Sequence, residues 1–104
     1  MSNIFWAGYS SGDRHHIITI VKETIASYGD IVDFKLFSDI SIVIIIEIQE
    51  KNIDALYMKL SEYLLLDEHC IVNSLSVKER VIYLNISFTQ ATGNLKVAVP
   101  LVPG

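Results

Sequence analysis

The sequence predicts an α+β sandwich: an antiparallel sheet with two helices packed on one of its faces. Three observations carry that expectation. The spacing of apolar residues switches between a period of two and a helical period, in the order strand, helix, strand, strand, helix, strand. About a quarter of the 104 residues are Ile or Val, and β-branched side chains favour strands. Hydrophobic residues make up 51% of the chain and charged residues 19%, which suits a packed core and excludes a disordered chain.

Ile4 to Tyr9 is apolar at both alternating positions, as a central strand covered on two sides would be. Ser10-Ser11-Gly12-Asp13 is a turn, and Asp13 can cap the helix that follows. In that helix Ile17, Ile18, Val21, Ile25 and Tyr28 form one stripe, with Lys22, Glu23 and Ser27 opposite. Gly29 stands where a left-handed helix cap is expected. Ile31 to Phe37 and Ile40 to Gln49 read as two strands joined by the short break Ser38-Asp39, an antiparallel hairpin. Asn52 precedes the most regular helical pattern, Ile53, Leu56, Tyr57, Leu60, Tyr63 and Leu64, which Asp67-Glu68 ends. Cys70 to Val77 and Val81 to Phe88 are two further strand candidates, separated by Lys78-Glu79-Arg80. Asn94 to Val99 reads as another, entered by a Gly93-Asn94 turn, and the tail Pro100 to Gly104 is too proline-rich for a central strand.

The chain reads as one domain over 1–104, with a core over 3–89 and a C-terminal extension over 90–104. In a split βαβ layout the first and third strands lie in the middle of the sheet. Two helices cover one face only. The other face is then expected to show some of Phe5, Ala7, Tyr9, Phe37, Val43 and Ile45, together with one side of the late strands, a larger apolar surface than a monomer leaves in water. Either a second copy or the folded-back C-terminal segment should cover it, and the expectation is a homodimer.

Several classes are excluded. The net charge of −4 disfavours a nucleic-acid partner. One Cys allows no internal disulfide and no multi-cysteine zinc site. The longest apolar run, Ile40 to Ile46, is far short of the roughly 20 residues that cross a bilayer, and the N-terminus has no signal-peptide pattern. The expectation is a cytoplasmic protein with one reduced thiol and no cofactor.

Asp13-Arg14-His15-His16-Ile17-Ile18 opens the first helix, and Tyr28-Gly29-Asp30-Ile31 follows it. This resembles the ACT domain family, whose first helix begins near Asp-Arg-Pro-Gly-Leu-Leu and ends with a Gly before an Asn-Ile strand. The order of elements from Ile4 to Phe88 is similar as well. The resemblance implies a ferredoxin-like βαββαβ sandwich, with one or two extra C-terminal strands here. It also implies a regulatory domain that binds an amino acid at a dimer interface, between the first loop and the first helix. The matching positions are Ser10, Ser11, Gly12, Asp13, Arg14 and His16. His15 and His16 replace the family's Pro and Gly.

Each candidate residue also has a plain structural reading. Asp13 serves as an N-cap. His15 and His16 point about 100° apart on a helix and cannot readily share a metal; one half-buried and one exposed ring is expected. Cys70, beside His69, reads as a small buried hydrophobe. The glycines form no phosphate-binding pattern. The function expected is a non-catalytic sensing module for an amino acid or similar metabolite. The alternatives are a protein-interaction module without a ligand and, least supported, a small enzyme using His15 or His16 as a base.

Overall fold

The computed structural model describes residues 3–38 and 40–88. The elements are β1 (Ile4–Ser10), α1 (Arg14–Ala26), β2 (Gly29–Ser38), β3 (Ser41–Gln49), α2 (Ile53–Leu60) entered through a 3₁₀ turn (Glu50–Asn52), β4 (Leu65–Leu66) and β5 (Glu79–Phe88). They form an α+β structure with a five-stranded sheet in the order β2-β3-β5-β1-β4. The Gly93-Asn94 turn and the strand expected over Asn94–Val99 lie outside the described residues.

Both helices pack on one face. Ile17, Val21 and Ile25 of α1 and Ile53, Leu56 and Leu60 of α2 meet Ile42, Ile44, Ile46 and Ile48 of β3 and Ile82, Leu84, Ile86 and Phe88 of β5 in one buried core. Every second residue of β3 and of β5 enters that core, which fixes their register: a one-residue slip would expel the whole set. The regular part of α2 ends at Leu60, four residues before the end of the expected apolar stripe. A further turn, with Leu64 N–H donating to the Leu60 carbonyl, still buries Leu64.

The sheet is mixed rather than purely antiparallel. β5 pairs antiparallel with β3 and parallel with β1, and so occupies the centre between them. Its apolar alternation suits that place, since it buries one residue in two and bonds on both edges. β1 keeps a full partner on that side only, and its outer neighbour is the two-residue β4. Cys70–Val77 forms no strand. Three of its backbone donors are taken by side chains instead: Val72 and Asn73 N–H donate to Asp54 and Ser76 N–H to Ser74 Oγ, and just beyond the segment Lys78 N–H donates to Ser76 Oγ. Asn73 is also left-handed, with φ of 48°. Gly29 is not a left-handed cap; it starts β2, where a Cβ would stand 2.7 Å from the Glu47 carbonyl oxygen.

Among the described residues the second face carries no helix. Pairing arranges its residues in rows across the strands. One row runs Asp33, Ile45, Tyr83, Phe5, and the next Lys35, Val43, Asn85, Ala7. A third row runs Ser38, Ser41, Ser87, Tyr9, Leu65. A β-bulge at Val32 brings Asp33 and Lys35 onto this face. Phe5 is 70% exposed, Phe37 66% and Tyr9 49%, so among the described residues this face presents large aromatic side chains to water beside its polar ones. Phe5 and Tyr83 stack at 5.1 Å between ring centroids. No helix among the described residues is long and apolar enough to cross a membrane.

Candidate functional site

The turn after β1 is built by its own side chains. Ser10, the last residue of β1, is buried, and its Oγ accepts the Gly12 N–H at 3.0 Å. Asp13 is extended, with φ of −65° and ψ of 127°, and its Oδ2 accepts the His16 N–H at 2.9 Å. This is an N-cap, worth about 1 kcal/mol. β1 is thereby turned into α1 within three residues, leaving a hollow between the turn and the segment after α2.

A cavity of about 460 Å³ occupies that hollow, lined by Tyr9, Ser10, Ser11, Gly12, Ile17, Tyr63 and Leu65. Of the six positions the resemblance singled out, Ser10, Ser11 and Gly12 line it. Asp13, Arg14 and His16 begin α1 but are not among the lining residues, and the Asp13 carboxylate is engaged as the cap. His15 and His16 are both exposed, against the expectation that one would be half-buried. They sit on the solvent side of the first turn, while Ile17 takes the inward position.

Sequence reasoning missed Tyr63 and Leu65. They are more than fifty residues from the turn in sequence, and arrive because Leu65 pairs with Tyr9. A two-residue strand leaves no periodic signal that could have found them. The lining combines hydroxyls from serine and tyrosine with aliphatic walls from Ile17 and Leu65. It suits a small molecule with a polar end and an apolar side chain. Among the described residues the lining has no imidazole, carboxylate or thiol.

A second cluster lies beyond α2. Asp54 Oδ1 accepts His69 Nε2–H at 2.8 Å and Val72 N–H at 2.9 Å, and Oδ2 accepts Asn73 N–H at 2.7 Å. The His69 ring is stacked on Tyr57 at 4.5 Å and meets the Trp6 indole edge-on at 5.4 Å. Tyr57 OH donates to the Asp67 carbonyl. Partial burial pushes the Asp54 carboxyl upward, but the donors from Val72, His69 and Asn73 outweigh it and hold the group below its ordinary value. Nearby, Glu50 accepts Arg80 and Ser74, in that order of weight, and is likewise held low. Asp54 thereby fastens the irregular segment 67–78 to α2, while Glu50 ties the 3₁₀ turn to Ser74 of that segment and to Arg80 of β5. A His–Asp contact of this kind is a clasp: its acceptors are already taken by backbone N–H groups.

Cys70 is exposed, contrary to the buried position expected of it, because its segment is not a strand of the sheet. It lines a cavity of about 540 Å³ with Asp54, Tyr57, Met58, Glu68, His69 and Ile71. Among the described residues no three His, Cys, Asp or Glu side chains could hold a metal ion together.

The chain matches no family model, no curated protein and no solved structure.

Proposed function

We propose that this chain is a non-catalytic regulatory module of the cytoplasm that binds a small polar metabolite of amino-acid size in the β1–α1 cavity and reports it through the open sheet face. In this reading the layout is an elaborated ferredoxin-like, ACT-like one. β4 keeps the outer place beside β1, and β5 is an inserted central strand.

One observation carries the reading. Tyr9 and Leu65 wall the cavity and also end a row of the open face. A ligand seated against Tyr9 therefore touches the side chains that any surface covering the face must also touch. Two binding events that share groups are coupled energetically, provided the ligand favours one arrangement of those groups. The chemistry of the cavity agrees, with serine and tyrosine hydroxyl groups to orient a polar end and aliphatic walls for a side chain. His15 and His16 stand outside its lining.

A thermal-shift panel of the amino acids tests this. A ligand that binds only the native state, at a hundred times its Kd, adds about 2.7 kcal/mol. For a domain of this size that is a rise of roughly 10 °C or more in Tm. Ser11→Tyr, which fills the cavity, should abolish the shift. A panel in which nothing at 10 mM moves the midpoint by a degree (about the resolution of the assay) removes the ligand from the proposal. It would leave the second reading, an interaction module without a ligand, which the 70% exposure of Phe5 and 66% exposure of Phe37 favour.

A further inference from the structure

We infer that the open sheet face is covered by a second copy of this chain, packed face to face about a two-fold axis that crosses the strands between the Phe5 row and the Ala7 row. The assignment deepens the reading above and rests on it only for the statement that this face is an interface.

The rows select the arrangement. A two-fold axis lying across the strands, midway between these rows, lays each strand over its own copy and each row over the other row. Phe5 then faces Ala7 of the second copy, Tyr83 faces Asn85 and Ile45 faces Val43. Each of these is a larger side chain over a smaller one, which lets two layers interdigitate. At the β2 margin Asp33 faces Lys35 of the second copy, and Lys35 faces Asp33, so the same operation makes two ion pairs. Within one chain these two groups make an exposed 3.8 Å contact through Asp33 Oδ2, while Asp33 Oδ1 accepts the Phe34 N–H at 2.8 Å; the Lys35 ammonium and Asp33 Oδ2 are the atoms that pair across the interface. The alternative axis, along the strands, lays β2 over β1. It would press Asp33 and Lys35 against Phe5 and Ala7 and bury charge without a partner.

The extent of the face fits a reversible pair. Four strands about 4.8 Å apart, carrying three rows about 6.7 Å apart, span roughly 390 Å² per copy. Two copies together bury about 770 Å², below the roughly 1,200 Å² of standard interfaces and in the range of weak association, so the dimer should dissociate within the micromolar range. The centre of the patch is aromatic and aliphatic and its margin is charged, as in specific interfaces.

Sedimentation equilibrium of the full chain, from 5 to 200 µM, tests the assignment together with a charge swap. The expected species has twice the 11.7 kDa chain mass. Asp33→Lys and Lys35→Asp should each raise the dimer dissociation constant at least tenfold. The double variant should restore it to within about threefold of the original, because every cross-pair is again opposite in sign. Phe5→Asp, at a site 70% exposed in the monomer, should give a folded monomer by circular dichroism. A chain that stays at 11.7 kDa, whether bare or covered by its own residues 89–104, overturns the inference. So does a dimer indifferent to Phe5→Asp, or a double swap that fails to rescue. The amino-acid panel is read independently: a monomer that still shows a ligand shift defeats the dimer and leaves the cavity reading standing.

Discussion

The clasp at Asp54 gives the sharpest test of how the chain after α2 is held. Asp54→Ala removes three acceptors at once, those for His69 Nε2, Val72 N and Asn73 N, at 2.8, 2.9 and 2.7 Å. A hydrogen bond to a charged group contributes about 1.5–3 kcal/mol when buried. The Asp54 side chain is about a third exposed, and Asn73 can turn to water, so the sum is reduced. His69 is the exception: its ring is only 6% exposed and would keep a donor with no acceptor. The expected loss is about 2–4 kcal/mol, measured by urea unfolding at pH 7 and followed by Trp6 fluorescence. Trp6 is the single tryptophan and lies against His69 and Tyr57, so it reports this region directly.

The pH dependence has a definite sign. Asp54 is held below its ordinary value in the folded chain, so its contribution is fully present above the unfolded carboxylate pKa of about 4 and is lost as pH falls through the folded value. The gap between the parent and Asp54→Ala should narrow as pH falls below about 4. A loss under about 0.5 kcal/mol at pH 7, or a gap that does not narrow in acid, would refute the clasp.

Three further outcomes follow from the fold. Gly29→Ala should cost about 1–3 kcal/mol in the same unfolding assay, because the new Cβ meets a backbone oxygen that cannot swing aside; a neutral result would place β2 differently. Asp13→Ala should cost about 1 kcal/mol of stability and leave any amino-acid shift unchanged; loss of the shift would put the carboxylate in the binding site. Cys70 should react with a thiol reagent in the native protein at a rate independent of added stabilising ligand; a rate that tracks unfolding would bury it.

Local periodicity made much of the architecture legible. The β2–β3 hairpin and both helices follow from alternating or helical apolar spacing, and the same alternation assigns Phe5, Ala7 and Tyr9 to the uncovered face. The position of β5 was not legible, because Val81 to Phe88 has the composition to pair with either β1 or β3 and in fact pairs with both. Cys70 to Val77 misled for a different reason. Its composition favours a strand, but the Asp54 carboxylate and the Ser74 hydroxyl take three of its N–H groups, and side-chain bonds of that kind have no periodic signature. The cavity was half legible. Ser10, Ser11 and Gly12 announce a turn, whereas Tyr63 and Leu65 reach it only through the short pairing of β4 with β1.

The most direct test of the central claim is a backbone-amide chemical-shift map, recorded while the amino-acid panel is titrated into the isotope-labelled chain. Ser11, Gly12, Tyr63 and Leu65 should move together, with Tyr9 carrying the change onto the sheet face. No movement with any amino acid, or movement confined to the Asp54 and His69 cluster, would contradict it.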